Sequence, residues 1–336
     1  MRVLRSGEHI AEGSFVADSD EVMIGEPGAE RRILETGRTL TTPHRVVMDI
    51  PGIETIVGEA RRVFDPILPE LEARYARGPK QQHRLPQLLA VTEDNLISLR
   101  AGAIEVDILS VLELNRATTS FKRWGLDPAF ERLLQESKEP SAFPHNVLLL
   151  TVASALDHAG LGPELVAPAD SRTPDLRLRV SARRSIEADV KTPATLQRRP
   201  GEAVPVKEAE KVVGSAIHDS RGQFIGPSLL ILGGAFWASD FDRHATATER
   251  AITKPLPPEA SQEAHEHRRG LLGVVLASTT IQFARARGSG RLEGKWHEVD
   301  WMPASAFRWV PNPGYALDLQ LTLAPDLSTF EISFRP

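Results

Sequence analysis

Apolar and polar positions along the 336-residue chain fall into blocks with different periods. Over 53–75, Ile53, Ile56, Val57, Ala60, Val63, Phe64, Ile67, Leu68 and Leu71 recur at helical spacing. Pro66 and Pro69 interrupt that stripe, which predicts two helices, or one that breaks near Asp65. Ile104, Val106 and Ile108 alternate with Glu105 and Asp107 as in a half-buried strand. Asp127-Pro128 ahead of Ala129 to Leu134 signals a helix start. Residues 1–50 read as short strands and turns around Gly-Glu-Pro-Gly at 25–28.

From Asn146 the pattern becomes regular. Val147 to His158 is apolar on nearly every face, which predicts a buried helix ending at Gly160. A short strand is expected around Glu164–Ala167. Leu176, Leu178 and Val180 alternate with Asp175, Arg177 and Arg179. After a polar turn at 181–185, Ile186, Ala188 and Val190 alternate with Glu187, Asp189 and Lys191. Over 205–218, Val206, Ala209, Val213, Ala216 and Ile217 form the apolar stripe of an amphipathic helix. Ser228 to Phe236 is continuously apolar, as in a strand buried on both faces. The order is helix, three strands, helix, strand. It predicts an α/β domain over 141–336, preceded by an α+β module over 1–140. The polar, proline-bearing stretch 135–144 marks the expected boundary.

Composition narrows the chemistry. The chain has no cysteine, which excludes disulfides, thiolate zinc sites, iron–sulfur clusters and a cysteine nucleophile. The longest mainly apolar runs, Val147–Leu156 and Leu229–Ala238, are about half of the roughly 20 residues a membrane helix needs. Met1 to His9 has no apolar signal core. A cytoplasmic protein with no membrane partner is expected. The net charge of −5 argues against a surface coated for nucleic acid. Its distribution changes that picture. Residues 1–140 hold 18 basic and 23 acidic side chains, whereas 171–200 hold eight basic and three acidic ones.

That basic stretch contains the informative residues. On a strand over 186–191, the period of two puts Glu187, Asp189 and Lys191 on one face. If 175–180 pairs with it as a hairpin, Asp175 lies across from Asp189 or Lys191. Two carboxylates this close are costly unless a cation neutralises them. Asp175, Asp189 and the Val190 carbonyl are hard oxygen donors suited to Mg²⁺ or Mn²⁺. Lys191 is then placed to orient or help deprotonate a water and to stabilise charge on a phosphate. Arg177, Arg179, Arg183 and Arg184 add phosphate-binding capacity around it.

Pro174-Asp175 followed by Asp189-Val190-Lys191 and Thr192-Pro193 resembles the PD-(D/E)xK nuclease superfamily. The resemblance covers about residues 146–236, and the superfamily core has the same order of helix, three strands, helix and strand. It implies a restriction-endonuclease-like mixed sheet flanked by helices. It also implies Asp175 and Asp189 as metal ligands, Lys191 as the catalytic lysine, Mg²⁺ or Mn²⁺ as cofactor and DNA as substrate. Family members often add an acid from the first helix or just after it; Asp157 and Glu164 are the nearby candidates, and Glu187 is another source of that carboxylate. Lys207 and Lys211 are equivalents of basic residues that members carry on the helix after the lysine strand. The N-terminal module is then a recognition, regulatory or assembly part, with a homodimer or a partner protein as its expected company. The alternative is a non-catalytic nucleic-acid-binding or scaffold subunit with a degenerate nuclease fold.

Other constellations are weaker. Glu105 and Asp107 share a predicted strand face but no lysine follows. His265-Glu266-His267 runs into Arg268-Arg269 without a further ligand pattern. Ser154, Asp157 and His158 lack a nucleophile elbow. The glycines at 288–294 miss both the P-loop and the dinucleotide spacing.

Overall fold

The computed structural model describes residues 14–17, 20–23, 44–47, 50–75, 83–101, 107–158, 162–166, 173–181, 184–197, 204–220, 227–235, 241–256, 258–278, 282–283, 298–302, 307–313, 319–323 and 330–334. Three short strands come first: β1 (Ser14–Ala17), β2 (Asp20–Met23) and β3 (His44–Val47). Six helices follow: α1 (Ile50–Phe64), α2 (Leu68–Tyr75), α3 (Arg84–Arg100), α4 (Ile108–Arg123), α5 (Phe130–Glu136) and α6 (Ala142–His158). Next are β4 (Pro163–Leu165), β5 (Leu176–Ser181), β6 (Arg184–Lys191), a 3₁₀ turn (Ala194–Gln197), α7 (Val206–Asp219) and β7 (Ser228–Gly234). The chain continues through α8 (Phe241–Thr253), α9 (Gln262–Gly270) and β8 (Leu271–Ser278). It ends with β9 (Gln282–Phe283), β10 (Glu298–Met302), β11 (Phe307–Pro311), β12 (Leu319–Leu323) and β13 (Phe330–Phe334). No helix among the described residues is long and apolar enough to cross a membrane.

Two compact units divide the chain. The first comprises Met1–Ala29, Pro43–Leu150 and Ile281–Pro303; the second comprises Glu30–Thr42, Thr151–Thr280 and Ala304–Pro336. The division falls within α6, past the polar stretch at 135–144. Residues 281–303 count with the first unit because β10 pairs antiparallel with β3 and β9.

In the first unit, Phe64, Phe121 and Phe143 from α1, α4 and α6 meet edge-to-face or stacked, with ring centroids 5.1–6.5 Å apart. The expected break near Asp65 is present: α1 ends at Phe64 and α2 starts at Leu68. The expected strand at 104–108 is corrected at its end. Residues 102–106 lie outside the described residues, and Asp107 is the N-cap of α4. Its carboxylate accepts from the Ser110 N–H (3.2 Å) and hydroxyl (2.8 Å). A side chain that caps a helix overrides a short alternation.

His83 caps α3 from a buried position. Its Nδ1 accepts the Leu85 N–H (3.2 Å), so its proton sits on Nε2, 2.7 Å from the Ser137 carbonyl it donates to. Burial holds its pKa below the usual 6.5 despite the Ser137 carbonyl and Glu139. Because the unfolded chain binds this proton more readily, the stabilisation is complete above about 6.5 and is lost as pH falls below it. In acid titration by circular dichroism, His83→Asn, which keeps a capping side chain, should lose this component of the pH dependence. An unchanged profile would refute the assignment.

The second unit holds a six-stranded mixed sheet in the order β11-β8-β7-β6-β5-β4. Strands β4, β5 and β6 form an antiparallel meander; β6, β7 and β8 are parallel to one another. Parallel neighbours require crossovers. Here α7 links β6 to β7, while α8 and α9 link β7 to β8. Val213, Ala216 and Ile217 of α7 and Ala245, Ala251 and Ile252 of α8 cover Leu230, Leu232, Val274 and Leu276. The intervening Leu229, Ile231 and Val275 are buried too, so the central strands are covered on both faces. The expected order of helix, three strands, helix and strand is present as α6, β4, β5, β6, α7 and β7.

A register shift at the start of β8 is sealed by the edge strand β11. Asn312 donates to the Leu272 carbonyl from its N–H (2.9 Å) and to the Leu271 carbonyl from its side chain (2.8 Å). A Cβ on Gly273 would lie 2.4 Å from the Val310 carbonyl oxygen and 2.4 Å from the Trp309 ring. Gly273→Ala is therefore expected to cost about 1–3 kcal/mol, read as a lowered thermal midpoint. An unaltered midpoint would show that β11 does not close on β8 there.

Candidate active site

The site lies where the meander meets the parallel strands. Pairing sets its faces. Ala188 is opposite Leu176 and Ile186 opposite Leu178, and all four are buried. Arg177 and Glu187 are paired, with Glu164 of β4 opposite Arg177. On the other side of β6, Asp189 aligns with Leu230 and Lys191 with Leu232. Glu164, Arg177, Glu187, Asp189 and Lys191 thus share one sheet face, and their neighbours Leu230 and Leu232 on that face lie under α7 and α8.

Asp175 immediately precedes β5. Its Oδ2 accepts the Val190 N–H at 2.7 Å, which ties it to β6 beside Asp189 and settles which of the two positions it faces. Within a strand a residue's N–H and carbonyl point to the same side, so the Val190 carbonyl also faces the Asp175 edge. Asp189 is 2% exposed, and Lys191, the last residue of β6, is 30% exposed. The Lys191 ammonium donates to Oδ1 of Asp189 at 3.1 Å. It stands 2.8 Å from Oδ2, yet Oδ2 accepts no well-aligned hydrogen bond and is fully buried. Burial raises the Asp189 pKa, the Asp175 carboxylate raises it further, and Lys191 opposes both; the outcome is about 7. A carboxyl kept near neutrality by burial, a second carboxylate and an ammonium form a strained charge cluster of the kind found at functional sites.

The remaining expected residues separate. Arg177 lies between two acids, 4.0 Å from Glu164 and 4.0 Å from Glu187, with its side chain 42% exposed. Arg179 is exposed, opposite Ser185. Arg184 opens β6 opposite Ser181, and Arg183 lies outside the described residues. Lys207 and Lys211 occupy the exposed side of α7, away from the stripe of Ala209, Val213 and Ala216 that packs inward. Asp157 is exposed near the end of α6. Among the described residues, no group of three or more His, Asp or Glu side chains is gathered closely enough to hold a metal ion.

One contact was not legible beforehand. Gln197 donates from its side chain to the Gly233 carbonyl (2.8 Å), and the Ala235 N–H donates to the Leu196 carbonyl (2.7 Å). Together they fasten the 3₁₀ turn that follows Lys191 to the end of β7. No sequence signal marks Gln197, because its partners lie 36 residues away or more.

Asp175 and Asp189 with the Val190 carbonyl form a donor set that a hard divalent cation accepts, with water filling the remaining positions. Oδ2 of Asp189 is buried, with the Lys191 ammonium 2.8 Å away as its ion-pair partner and no well-aligned hydrogen bond, and such an oxygen can also serve a cation. Compared with known proteins, the chain matches no family model, no curated protein and no solved structure.

Proposed function

We propose that this protein is a divalent-metal-dependent nuclease of the PD-(D/E)xK type, hydrolysing phosphodiester bonds of DNA. The observation that carries the reading is the meeting of Asp175, through its 2.7 Å bond to the Val190 N–H, with the buried Asp189–Lys191 pair. The order of helix, three strands, helix and strand around them supports a restriction-endonuclease-like core.

Asp175, Asp189 and the Val190 carbonyl would hold Mg²⁺ or Mn²⁺. Such an ion supplies Lewis acidity and lowers the pKa of a bound water. The chain's own groups do the rest. Val190 N–H fixes one Asp175 oxygen, leaving the other for binding. Asp189 anchors the Lys191 ammonium at the partly open end of the strand. There its remaining protons can orient a water and offset the charge that grows on a phosphate oxygen. Arg179, exposed on the same strand as Arg177, offers a backbone contact for the nucleic acid.

A second reading, a non-catalytic subunit that retains the fold, draws on the absence of a third acid beside the pair among the described residues. One experiment separates them. Purified full-length protein is titrated with Mn²⁺ and incubated with duplex and single-stranded DNA. The nuclease reading expects Mn²⁺ binding and cleavage that a chelator stops. Neither binding nor cleavage would leave the non-catalytic reading.

A further inference from the structure

Strand β6 stops at Lys191, whose aligned partner is Leu232, while its parallel neighbour β7 runs on to Gly234. In a parallel ladder a strand turns its backbone groups toward a given neighbour at every second residue. The Glu187 N–H donates to the Pro227 carbonyl (3.1 Å), so the odd-numbered residues from 227 onward face β6. Continued by twos, that alternation brings residue 193 to the Gly233 carbonyl. Residue 193 is proline and has no N–H to give. Left to the ladder alone, the Gly233 carbonyl would lack a donor just beyond Lys191.

Gln197 supplies one. Its side-chain amide donates to the Gly233 carbonyl at 2.8 Å. The next β7 group on that side, the Ala235 N–H, donates to the Leu196 carbonyl at 2.7 Å. The turn is closed by the Leu196 N–H, which donates to the Pro193 carbonyl (2.9 Å). Leu196, 3% exposed, roots it among Val213, Ile217 and Leu232. Only Thr192 and Pro193 stand between Lys191 and this turn, so the chain on both sides of them is held to β7.

We propose that Gln197 is a positioning residue for Lys191: its amide replaces the donor that Pro193 lacks and fixes the strand end from which the ammonium reaches Asp189. The inference rests on the nuclease reading above. A lysine carries its charge on a flexible four-carbon stem, so the place of the ammonium depends on what holds each end of that stem. Asp189 holds the tip, 2.8 Å from the ammonium. The backbone at Lys191 is the other end, and it is the last residue of its strand. Strand ends fray unless they are tied down. A displacement of about 1 Å that originates away from the reacting atoms is enough to cost about 10²-fold in rate.

Gln197→Met, similar in length and unable to donate, tests this in the full-length protein by single-turnover cleavage of labelled DNA with Mg²⁺. The rate at saturating DNA should fall about 10–100-fold. The DNA concentration for half-maximal rate and the affinity for Mn²⁺ should stay within about threefold of wild type. In a Lys191→Ala background the same substitution should lower the rate by less than about twofold, because residues that act through one group are not additive. Equal losses in both backgrounds overturn the inference, since Gln197 would then serve the fold alone. A wild-type rate in Gln197→Met overturns it too, as does a loss confined to DNA or Mn²⁺ binding. Where Lys191→Ala is too slow to follow, the division of the loss between rate and binding decides. Wild type that cleaves no DNA overturns the nuclease reading and this inference with it. If Gln197→Met does not fold, Gln197→Asn, which draws the donor back by one methylene, is read by the same comparison.

Discussion

Lys191→Ala is expected to lower the rate of Mg²⁺-dependent DNA cleavage by at least 10²–10³-fold while substrate binding changes far less. That range is the effect of removing one preorganised group that meets charge as it develops in the transition state. The structure gives reasons to place Lys191 in that class. It ends β6, where the strand is held by β7 on one side and followed by a turn fastened through Gln197 and Leu196. Its ammonium is already anchored by a buried carboxylate, so little orientational freedom remains to be lost on reaction. Asp189→Asn should be equally severe for a second reason: it removes both the anchor of Lys191 and a hard anionic ligand. Lys191→Arg keeps the charge but replaces a compact ammonium with a planar fork, and recovery should be slight. The measurement is single-turnover cleavage of labelled DNA at saturating Mg²⁺. Lys191→Ala within threefold of wild type would remove the lysine from the mechanism.

Much of this site was readable from the chain, for a local reason. Strand alternation puts Glu187, Asp189 and Lys191 on one face whatever the strand packs against, and a short hairpin brings Asp175 near them. The choice between Asp189 and Lys191 as its neighbour depended on register, which the Val190 N–H to Asp175 bond settles. Readings fell short where the deciding partner is distant or the signal short. Arg177 reads as a phosphate ligand from its neighbours, and its ion pairs with Glu164 on a separate strand and Glu187 across the hairpin leave no sign in the local pattern. Lys207 and Lys211 sit at helical spacing that shows they share a side of α7, while the direction of that side depends on what Val213 and Ile217 pack against. Asp107 looks like a strand residue by alternation, and the Ser110 amide makes it a cap. Residues 281–303 join the first unit through β10 and β3, a pairing across some 250 residues that leaves no trace in local pattern.

Asp189→Asn should also be more stable than wild type above neutral pH in the absence of divalent metal, by on the order of 2–4 kcal/mol. The sign follows from the direction of the shift. The folded chain holds the Asp189 carboxyl at about 7 against an ordinary 3.8, so folding favours the protonated form. The stabilisation is complete below about 3.8 and disappears as pH rises through about 7. At pH 8 wild type must bury a charge beside Asp175, with the Lys191 ammonium as partial compensation. Asparagine removes that charge, and Lys191, 30% exposed, can turn its ammonium to water. The difference between variant and wild type should therefore be large at pH 8 and nearly gone at pH 4. Adding Mn²⁺ should reverse it at pH 8, because a ligand that binds only the folded wild type stabilises it by mass action. Urea unfolding at the two pH values, with and without Mn²⁺, reads all of these. A surface ion pair would behave differently: losing Asp189 would be neutral or slightly destabilising at every pH, and Mn²⁺ would change nothing. A wild type that is stabler than Asp189→Asn at pH 8 without metal would mean that the carboxylate is kept for the fold. The opposite result would mean that the chain retains a destabilising charge at the end of β6, as expected where binding or catalysis requires it.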